Sequence, residues 1–357
     1  MAKQPKKGRG AVSNENSRFL QHTTVEFDDG WHRDEDEINI NPATQIFTDK
    51  SKKILTRNSS PDVPFSVSIN PYKGCEHGCT YCFARPTHAY LDLSPGLDFE
   101  TKIFAKPDAA TLLKKELENP RYKPELIALG ANTDAYQPVE RKLKITRGVL
   151  EVLREFRNPV AIITKSALVE RDIDILAQLA QQDLVNVTVS VTTLDSELSR
   201  RLEPRAAAPH RRLETIRRLS EKGIPVGILF APVIPMLNDS EMEKILEETT
   251  QAGSRSAGYV ILRLPHELKQ LFQEWLETHY PLKARHIMNI IREMREGKEY
   301  DAEYGTRQTG TGIFAELFSR RFNVCANRLS LFDNELNLRT DLFTRANKYQ
   351  AQLDMFD

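Results

Sequence analysis

Short apolar runs alternate with amphipathic segments over most of the chain beyond residue 65. Six of these runs are rich in β-branched residues and bounded by Gly, Pro or Asn, which predicts buried strands at 65–70, 125–130, 159–164, 185–191, 225–231 and 258–264. Segments with helical periodicity lie among them, at 109–118, 144–156, 170–181, 210–223, 239–253 and 267–277. Gly223 and Gly253 follow two of these segments, as helix stop signals do.

This alternation predicts an α/β fold built from βα units. Near-continuous apolar strands between amphipathic helices indicate a parallel sheet whose outer face is covered. Six such units suit a partial or complete barrel, or an open doubly wound sheet. No GxGxxG follows any predicted strand, which counts against a dinucleotide-binding sheet. In each arrangement we expect the loops at the carboxyl ends of the strands to hold the chemistry.

The two ends of the chain differ from the βα region. Residues 1–60 predict a partly disordered N-terminal extension with a basic arm and, at 28–37, an acidic run. Docking of this arm on nucleic acid is the alternative to a solvated extension. We expect a core barrel at 61–282 and a helical or irregular C-terminal extension at 283–357 that caps the barrel. The basic arm consists of Lys3, Lys6, Lys7 and Arg9.

The composition narrows the class of protein. The chain has 357 residues, with 50 Lys and Arg against 50 Asp and Glu, so bulk charge does not drive binding to nucleic acid or membrane. No run of about 18 apolar residues appears, so we expect no membrane span. The basic first residues lack the apolar stretch of a secretory signal. Four cysteines, three of them within eight residues, do not resemble a disulfide-bonded secreted protein, so we expect a cytoplasmic one.

The clustered cysteines mark the expected site. Cys75, Cys79 and Cys82 follow the first predicted strand with the spacing C-x3-C-x2-C, which places three thiols on one tight loop. Soft thiolates that converge in a reduced compartment indicate a metal. A 4Fe–4S cluster normally takes four cysteines, so three would leave one iron open to a ligand. A structural zinc site is the alternative. The residues that could then supply its fourth ligand are His77, His88 and Cys325.

The cysteine motif, with the aromatic Tyr81 before its last cysteine, resembles that of the radical SAM superfamily. The resemblance implies a 4Fe–4S cluster on three cysteines, with S-adenosylmethionine (SAM) bound at the open iron. One electron then cleaves SAM to methionine and a 5′-deoxyadenosyl radical that abstracts hydrogen from a substrate; the cofactors carry this chemistry and the protein places them. It also implies a partial, TIM-like (β/α)6 barrel and an electron donor such as flavodoxin or ferredoxin.

Within that superfamily, the chain resembles the spore photoproduct lyase-like branch, often labelled DNA repair photolyase. The segments that carry the likeness are GCEHGCTYCFAR, GANTDAYQPVE, TKS and SVTTLD. Asp134 could instead cap a turn, Lys165 could be a surface residue, and Ser190 could bond to the backbone. The cluster ligands implied by the resemblance are Cys75, Cys79 and Cys82, and the implied SAM contacts are Thr133, Asp134, Lys165, Ser190 and Ala231.

Lyase activity on a thymine photoproduct is one alternative for the reaction. Lyases of that branch return a hydrogen atom from a cysteine near the end of strand two, where this chain has Gly130, Ala131 and Asn132. The spare thiol, Cys325, is expected either over the barrel mouth or in the core.

Nucleic acid is a candidate substrate. Residues 200–222 carry eight Lys or Arg and three Glu, which could contact phosphates or form a solvated helix face. We expect Arg201, Glu203 and Arg205 in the loop after the fourth predicted strand, where they hold substrate or form an ion pair. Tyr136, Gln137 and Glu140 are weaker candidates, and His88 is expected only to support the cluster.

Overall fold

The computed structural model describes residues 6–19, 43–331 and 338–345. Lys3 of the basic arm and the acidic run at 28–37 lie outside these ranges. The strands of the described residues form two sheets. They are β1 (Gln45–Thr48), β2 (Leu55–Arg57), β3 (Val67–Ile69), β4 (Tyr72–Lys73), β5 (Lys102–Ala105), β6 (Ile127–Leu129), β7 (Val160–Thr164), β8 (Val185–Ser190), β9 (Val226–Val233) and β10 (Ser256–Ile261).

The larger sheet is the predicted partial barrel. Its strand order is β10-β9-β8-β7-β6-β3-β2, and the neighbours from β3 to β10 pair in parallel. At one edge β2 pairs antiparallel with β3, and β10 forms the other edge, so the barrel is open. The parallel strands are those that the apolar runs predict. Their order follows the chain without reversal, which distinguishes the barrel from a doubly wound sheet.

The helices follow the predicted amphipathic segments. The helix at Ile145–Phe156 shows the cause, since Val149, Leu153 and Phe156 are buried on one face while Arg154 and Glu155 are exposed on the other. Short 3-10 helices lie at Arg85–Leu91, Ala167–Asp172 and Asp239–Glu241. The α-helices are α1 (Leu97–Thr101), α2 (Ala109–Glu118), α3 (Glu140–Leu143), α4 (Ile145–Phe156), α5 (Ile173–Ala180), α6 (Ser196–Leu202), α7 (Pro209–Glu221), α8 (Met242–Gln251), α9 (Leu268–His279), α10 (Pro281–Glu293) and α11 (Gly312–Arg328).

The main core includes residues from the barrel strands and the helices. Ile69, Leu129, Ile162 and Val187 on successive strands are fully buried, and they share one apolar cluster with helix residues such as Leu150. Burying a side chain of this size contributes about 1.5–3 kcal/mol. The strands are therefore held in fixed register, and so are the loops at their carboxyl ends.

The smaller sheet was not predicted, and it fixes the chain around the cysteine motif. In this sheet β1 pairs in parallel with β5, while β4 pairs antiparallel with β5. Since β4 ends at Lys73, just before Cys75, the sheet holds the backbone that leads into the cysteines.

Residues 6–19 of the N-terminal extension pack against the chain around the cysteine motif. Ala11 is buried, and the carboxylate of Glu100 accepts hydrogen bonds from the backbone N–H groups of Gly10 and Ala11 at 3.0 and 2.8 Å. A Cβ on Gly10 would lie 1.8 Å from the carbonyl oxygen of Gly78, so only glycine fits there. This segment therefore contacts the region that carries the cysteines.

The C-terminal helix α11 lies against α8 and β10. Arg321 pairs with Glu243 at 2.7 Å, and the rings of Phe322 and Tyr259 have centroids 4.7 Å apart. Cys325 is 3% exposed within the main core, so of its two expected places the core is the one observed. In the part of the chain that the structure describes, no helix has the length and apolar character needed to span a membrane.

Candidate active site

Three cysteines lie on residues 75–82, which we call the cluster loop. Cys75 and Cys79 are buried, Cys82 is partly exposed, and all three are free thiols. The loop turns twice, because the N–H of Gly78 donates to the carbonyl of Cys75 and the N–H of Cys82 donates to that of Cys79, each at 3.3 Å. Gly78 has a φ of 68°, a left-handed conformation that glycine adopts without strain.

A buried ion pair holds this loop in place. Arg85 and Glu100 are fully buried, with Nη2 and Oε1 2.5 Å apart. Arg85 also donates to the carbonyl oxygens of Cys79 and Gly78, at 2.8 and 3.1 Å. Because the guanidinium carries five donors in a planar fork, this one side chain fixes the loop backbone at two points.

The thiols fit an iron–sulfur cluster. Burial raises the pKa of Cys75, Cys79 and Cys82, and for Cys75 the charges of Asp134 and of the other two thiolates raise it further. Metal ions bind the thiolate, so a bound cluster would supply positive charge that favours the ionised form of these buried thiols. Among the described residues, no three His, Cys, Asp or Glu side chains stand as ligands of a single metal ion. Three thiols match a 4Fe–4S cluster with an open iron rather than a closed zinc site.

The candidates for a fourth zinc ligand have other contacts, although Nδ1 of His88 is buried with no hydrogen-bond partner among the described residues. Nδ1 of His77 lies 3.3 Å from Asp134, and Cys325 is in the core on α11. Nε2 of His88 lies 3.0 Å from the carbonyl oxygen of Lys102. Burial lowers the pKa of His88 to about 4, so this ring is neutral.

Asp134 connects the cluster loop with the ends of β6 and β7. Its carboxylate accepts hydrogen bonds from the Thr164 hydroxyl and from the N–H groups of Lys165 and Tyr136, each at 2.8 Å. Burial by itself would raise its pKa, but the charge of His77 and these hydrogen bonds lower it to about 2. Asp134 therefore caps a turn through Tyr136, as the structural alternative predicts, and also ties three loops together.

Glu203 forms the centre of a second polar network. Its carboxylate is fully buried and accepts hydrogen bonds from Arg212, from Tyr81 and, at 2.7 Å, from Thr192. Nζ of Lys165 lies 3.8 Å from Oε1 of Glu203, beyond a normal hydrogen bond. Burial would raise the pKa of Glu203, but the charges of Arg212 and Lys165 lower it to about 2. Since Tyr81 belongs to the cluster loop, this network reaches the cysteines.

Lys165 directly follows β7, and it is the positively charged residue among the expected SAM contacts. Its side chain is 17% exposed, and its ammonium group lies 5.8 Å from the centre of the Tyr81 ring. Arg212 is the closer cation to Glu203, and Lys165 pairs with the same carboxylate only at 3.8 Å, so its ammonium group can also accept a second anion as partner.

The other expected SAM contacts lie at neighbouring strand ends. Thr133 and Ser190 are each 2% exposed, and Ser190 is the last residue of β8. The Thr133 hydroxyl donates to the carbonyl of Tyr72 at 2.7 Å, next to the cluster loop. Ala231 lies in β9, and its carbonyl accepts a hydrogen bond from Thr192 at 3.2 Å. Asp134 and Lys165 therefore contact cluster-loop residues directly, and Ala231 is joined to that loop through Thr192. Thr133 contacts Tyr72, which precedes the loop in the chain.

The basic run at 200–222 is largely engaged in ion pairs, which favours a structural role over a phosphate surface. Our expectation that Arg201 lies in the loop after the fourth barrel strand is wrong. Arg201 belongs to α6, because Asp195 caps that helix by accepting a hydrogen bond from the N–H of Glu197 at 2.7 Å. The pairs are Arg201–Glu197, Arg205–Glu76, Arg211–Glu170, Arg212–Glu203, Arg217–Glu214 and Arg218–Glu170.

Of the weaker candidates, Gln137 supports the cluster loop directly. Its amide donates to the carbonyl of Gly74 at 3.1 Å and accepts from the N–H of Glu76 at 2.9 Å. Glu140 instead accepts hydrogen bonds from Tyr72 and Arg171 in a buried network away from the cysteines. Four residues of these networks were not predicted from the sequence, although two of them lie within the segments GCEHGCTYCFAR and SVTTLD: Arg85, Thr192, Glu100 and Arg212.

Comparison with known proteins identifies the family of this chain. The sequence model of the radical SAM superfamily matches residues 69–249. An uncharacterized protein of Mycobacterium tuberculosis (strain ATCC 25618 / H37Rv) is 38% identical over 232 residues, 64% of this chain and 68% of that relative. One from Methanocaldococcus jannaschii is 27% identical over 251 residues, 70% of this chain and 89% of the relative.

Among solved structures, spore photoproduct lyase complexed with dinucleoside spore photoproduct has a similar fold. Its TM-score is 0.55 at 13% sequence identity, and the match covers 80% of this chain and 78% of that one. The superfamily match and the fold agree with the three-cysteine loop and the open parallel barrel. The family implies a 4Fe–4S cluster and SAM. This chain therefore belongs to the radical SAM superfamily and is a radical SAM enzyme.

Proposed function

We propose that Cys75, Cys79 and Cys82 hold the 4Fe–4S cluster and that Thr133, Asp134, Lys165, Ser190 and Ala231 surround SAM. The observation that carries this proposal is the set of three free thiols on one loop, with a cation beside them and no fourth cysteine nearby in the sequence. When bound, the two cofactors supply reductive cleavage of SAM and abstraction of hydrogen from a substrate.

The residues of this chain bind and orient the cofactors. Arg85 and Gln137 hold the cluster-loop backbone. Lys165 offers an ammonium group to the SAM carboxylate, because Glu203 already has Arg212 as its close partner. The low pKa of Asp134 keeps its carboxylate charged, so the loops after β6 and β7 stay joined. An electron donor of the flavodoxin or ferredoxin type completes the proposed system.

For the substrate, we propose a nucleotide unit. A solved lyase of similar fold is described as complexed with a dinucleoside photoproduct, which supports this class. Repair of a thymine photoproduct with a cysteine as hydrogen donor fits this chain less well. Residues 130–132 contain no thiol, and Cys325 is buried on α11.

The test of the cofactor assignment is anaerobic reconstitution with iron and sulfide, followed by dithionite and SAM. We expect about four irons and four sulfides per chain and formation of 5′-deoxyadenosine. Cys79→Ala should lose both the cluster and the product. Cys325→Ala is the matched control, because its thiol lies in the core, and it should keep both. Zinc without sulfide in the wild type would refute the assignment.

The role of Lys165 is tested by binding rather than by turnover. Lys165→Met should weaken SAM binding about 10-fold or more, since a charge-assisted hydrogen bond contributes about 1.5–3 kcal/mol. The measurement is equilibrium dialysis of SAM against the reconstituted protein, with the visible absorbance of the cluster unchanged. Lys114→Met, which removes an exposed pair with Glu155, should bind SAM as the wild type does. Equal affinity in both variants would contradict the role of Lys165.

A further inference from the structure

An exposed aromatic ring lies at the end of the cluster loop. Phe83 directly follows Cys82 and is 46% exposed, although most large apolar side chains near the cysteines are buried. Cys82 is itself partly exposed. Solvent therefore reaches this ring directly beside the last cysteine of the loop. Leaving an aromatic face in water forgoes a favourable contact that a planar ligand could supply.

The guanidinium group of Arg263 lies over this ring. The distance from Cζ of Arg263 to the centre of the Phe83 ring is 5.5 Å, within the range of a cation–π contact. Arg263 comes two residues after β10, at the carboxyl end of the last barrel strand. It thus extends from the edge of the barrel where parallel-barrel enzymes hold their chemistry.

Arg263 has unused hydrogen-bonding capacity. Its Nε is buried without a hydrogen-bond partner, and within the described residues the structure gives its side chain no ion pair. A buried donor without an acceptor is costly, typically about 1–3 kcal/mol. An anionic ligand would satisfy the guanidinium with charge-assisted hydrogen bonds.

Arg295 adds a second cation beside Arg263. It is 2% exposed and donates to the carbonyl oxygens of Leu262 and Thr306 at 3.0 and 3.2 Å, while its Nε also lacks a partner. Burial lowers the pKa of Arg295 and the charge of Arg263 lowers it further, whereas Asp301 raises it.

Asp301 offsets this positive charge only in part. Its carboxylate accepts hydrogen bonds from the Thr306 hydroxyl at 2.6 Å and from the N–H of Glu303 at 2.8 Å. Two guanidinium groups close together therefore favour an anion at this edge of the barrel.

We propose that Phe83 and Arg263, supported by Arg295, bind one nucleotide unit of the substrate, with the base stacked on the Phe83 ring and a phosphate oxygen accepting hydrogen bonds from Arg263. The proposal rests on the nucleotide substrate class proposed above and assigns residues to it. Aromatic stacking accepts any base, and a guanidinium fork matches the geometry of a phosphate. The site therefore recognises a phosphorylated aromatic unit without requiring a particular base sequence.

The test uses the full chain with its cluster reconstituted and a labelled oligothymidylate of about 12 nucleotides. Fluorescence anisotropy is measured at several salt concentrations. Arg263→Gln should weaken binding about 10-fold and reduce the slope of log K against log salt by about 1. Phe83→Leu should weaken binding about 10-fold with the slope unchanged, because stacking releases no counterion. Cluster absorbance and SAM affinity should stay at the wild-type values in both variants.

Matched controls separate this site from the general surface. Tyr90 is 70% exposed and has Arg18 over its ring at 5.3 Å, so Tyr90→Leu removes a similar pair elsewhere. Arg320→Gln removes an exposed charge on α11. Both controls should bind as the wild type does. Wild-type affinity in Arg263→Gln and Phe83→Leu, or an equal loss in the controls, would overturn the site alone. No binding by the wild type at low salt would overturn the nucleotide substrate class itself, whereas a failure to form the cluster would overturn only the cofactor assignment.

Discussion

Arg212 and Arg263 belong to the same barrel but have opposite surroundings. Arg212 is 1% exposed and donates to Glu203, to the carbonyl of Ser190 at 2.9 Å and to the carbonyl of Ala207 at 2.8 Å. Arg263 is partly exposed, lies over Phe83 and has an unpartnered Nε. The Arg212 guanidinium donates its hydrogen bonds to groups of the protein, whereas the Arg263 guanidinium keeps a donor without a partner.

The difference extends to the residues on either side of Cys82. Tyr81 is 8% exposed and donates to Glu203, so it belongs to the closed network, whereas Phe83 is 46% exposed. The closed network holds Lys165 and the cluster loop in a fixed relation. The contact between Phe83 and Arg263 imposes no such fixed relation. The proposed cofactor placement therefore involves the buried Tyr81, and the proposed substrate recognition involves the exposed Phe83 two residues further on.

The largest expected effect is on folding stability when Arg212 is removed. Arg212→Met leaves the buried carboxylate of Glu203 with only Lys165 as a nearby cation, and breaking a buried pair in this way costs about 3–5 kcal/mol. Arg263→Met should leave the free energy of unfolding unchanged or raise it by up to about 1–3 kcal/mol, because it removes a buried donor that has no acceptor. Urea denaturation of the two variants measures both values. Similar losses of unfolding free energy in the two variants would contradict the distinction between the buried Arg212 and the partly exposed Arg263.

The second-largest expected effect is on how the free energy of unfolding depends on pH. The pKa of Glu203 in the fold is about 2, below the ordinary value of about 4.3 for glutamate. Its ionised form therefore stabilises the fold fully above about pH 5, and this contribution is lost as the pH falls towards 2. Glu203→Gln should be less stable than the wild type at pH 7, and the gap should narrow on acidification.

Denaturation curves between pH 7 and about 3 measure this gap. Glu214→Gln is the matched control, because Glu214 also pairs with arginines but at the exposed surface. Its stability should follow the wild-type curve. A constant difference in stability between the wild type and Glu203→Gln across the pH range would show that the carboxylate charge of Glu203 does not cause this difference.

The smallest effect separates the two aromatic neighbours of Cys82. Tyr81→Phe removes one hydrogen bond to Glu203 and should lower the free energy of unfolding by about 1–2 kcal/mol, while Phe83→Leu should change it by less than about 0.5 kcal/mol. The same denaturation assay applies. A larger loss for Phe83→Leu would mean that its ring is a packing residue rather than an open surface.

The barrel was predictable because each strand is an apolar run and each helix has one apolar face. The three-cysteine spacing likewise located the cluster loop. The smaller sheet was not predictable, because all residues of β1 are exposed and show no alternation, and β4 has only two residues. These strands exist through their pairing with β5, which sequence periodicity does not encode.

An ion pair of Glu203 was one of the two expectations, but its partner Arg212 and the other partners in the two polar networks were not predicted. Arg212 belongs to a basic run whose composition is typical of a solvated helix face. Its position on α7 directs its side chain towards Glu203, which the composition does not predict. A local signal did exist for Arg201, since Asp195 is a good N-cap residue that predicts a helix through this segment. The partners of Asp134 come from the cluster loop and from β7, so they become visible only once the strands are side by side.

The contact between Gly10 and Gly78 limits how this protein can vary or be engineered. With only 1.8 Å between a Cβ at position 10 and the Gly78 carbonyl, any side chain there would push the N-terminal segment off the cluster loop. Gly78 is under its own constraint, because a Cβ on it would lie 2.7 Å from the Glu100 carboxylate. Each of these two positions is therefore expected to tolerate only glycine, because a change at one does not relieve the clash at the other.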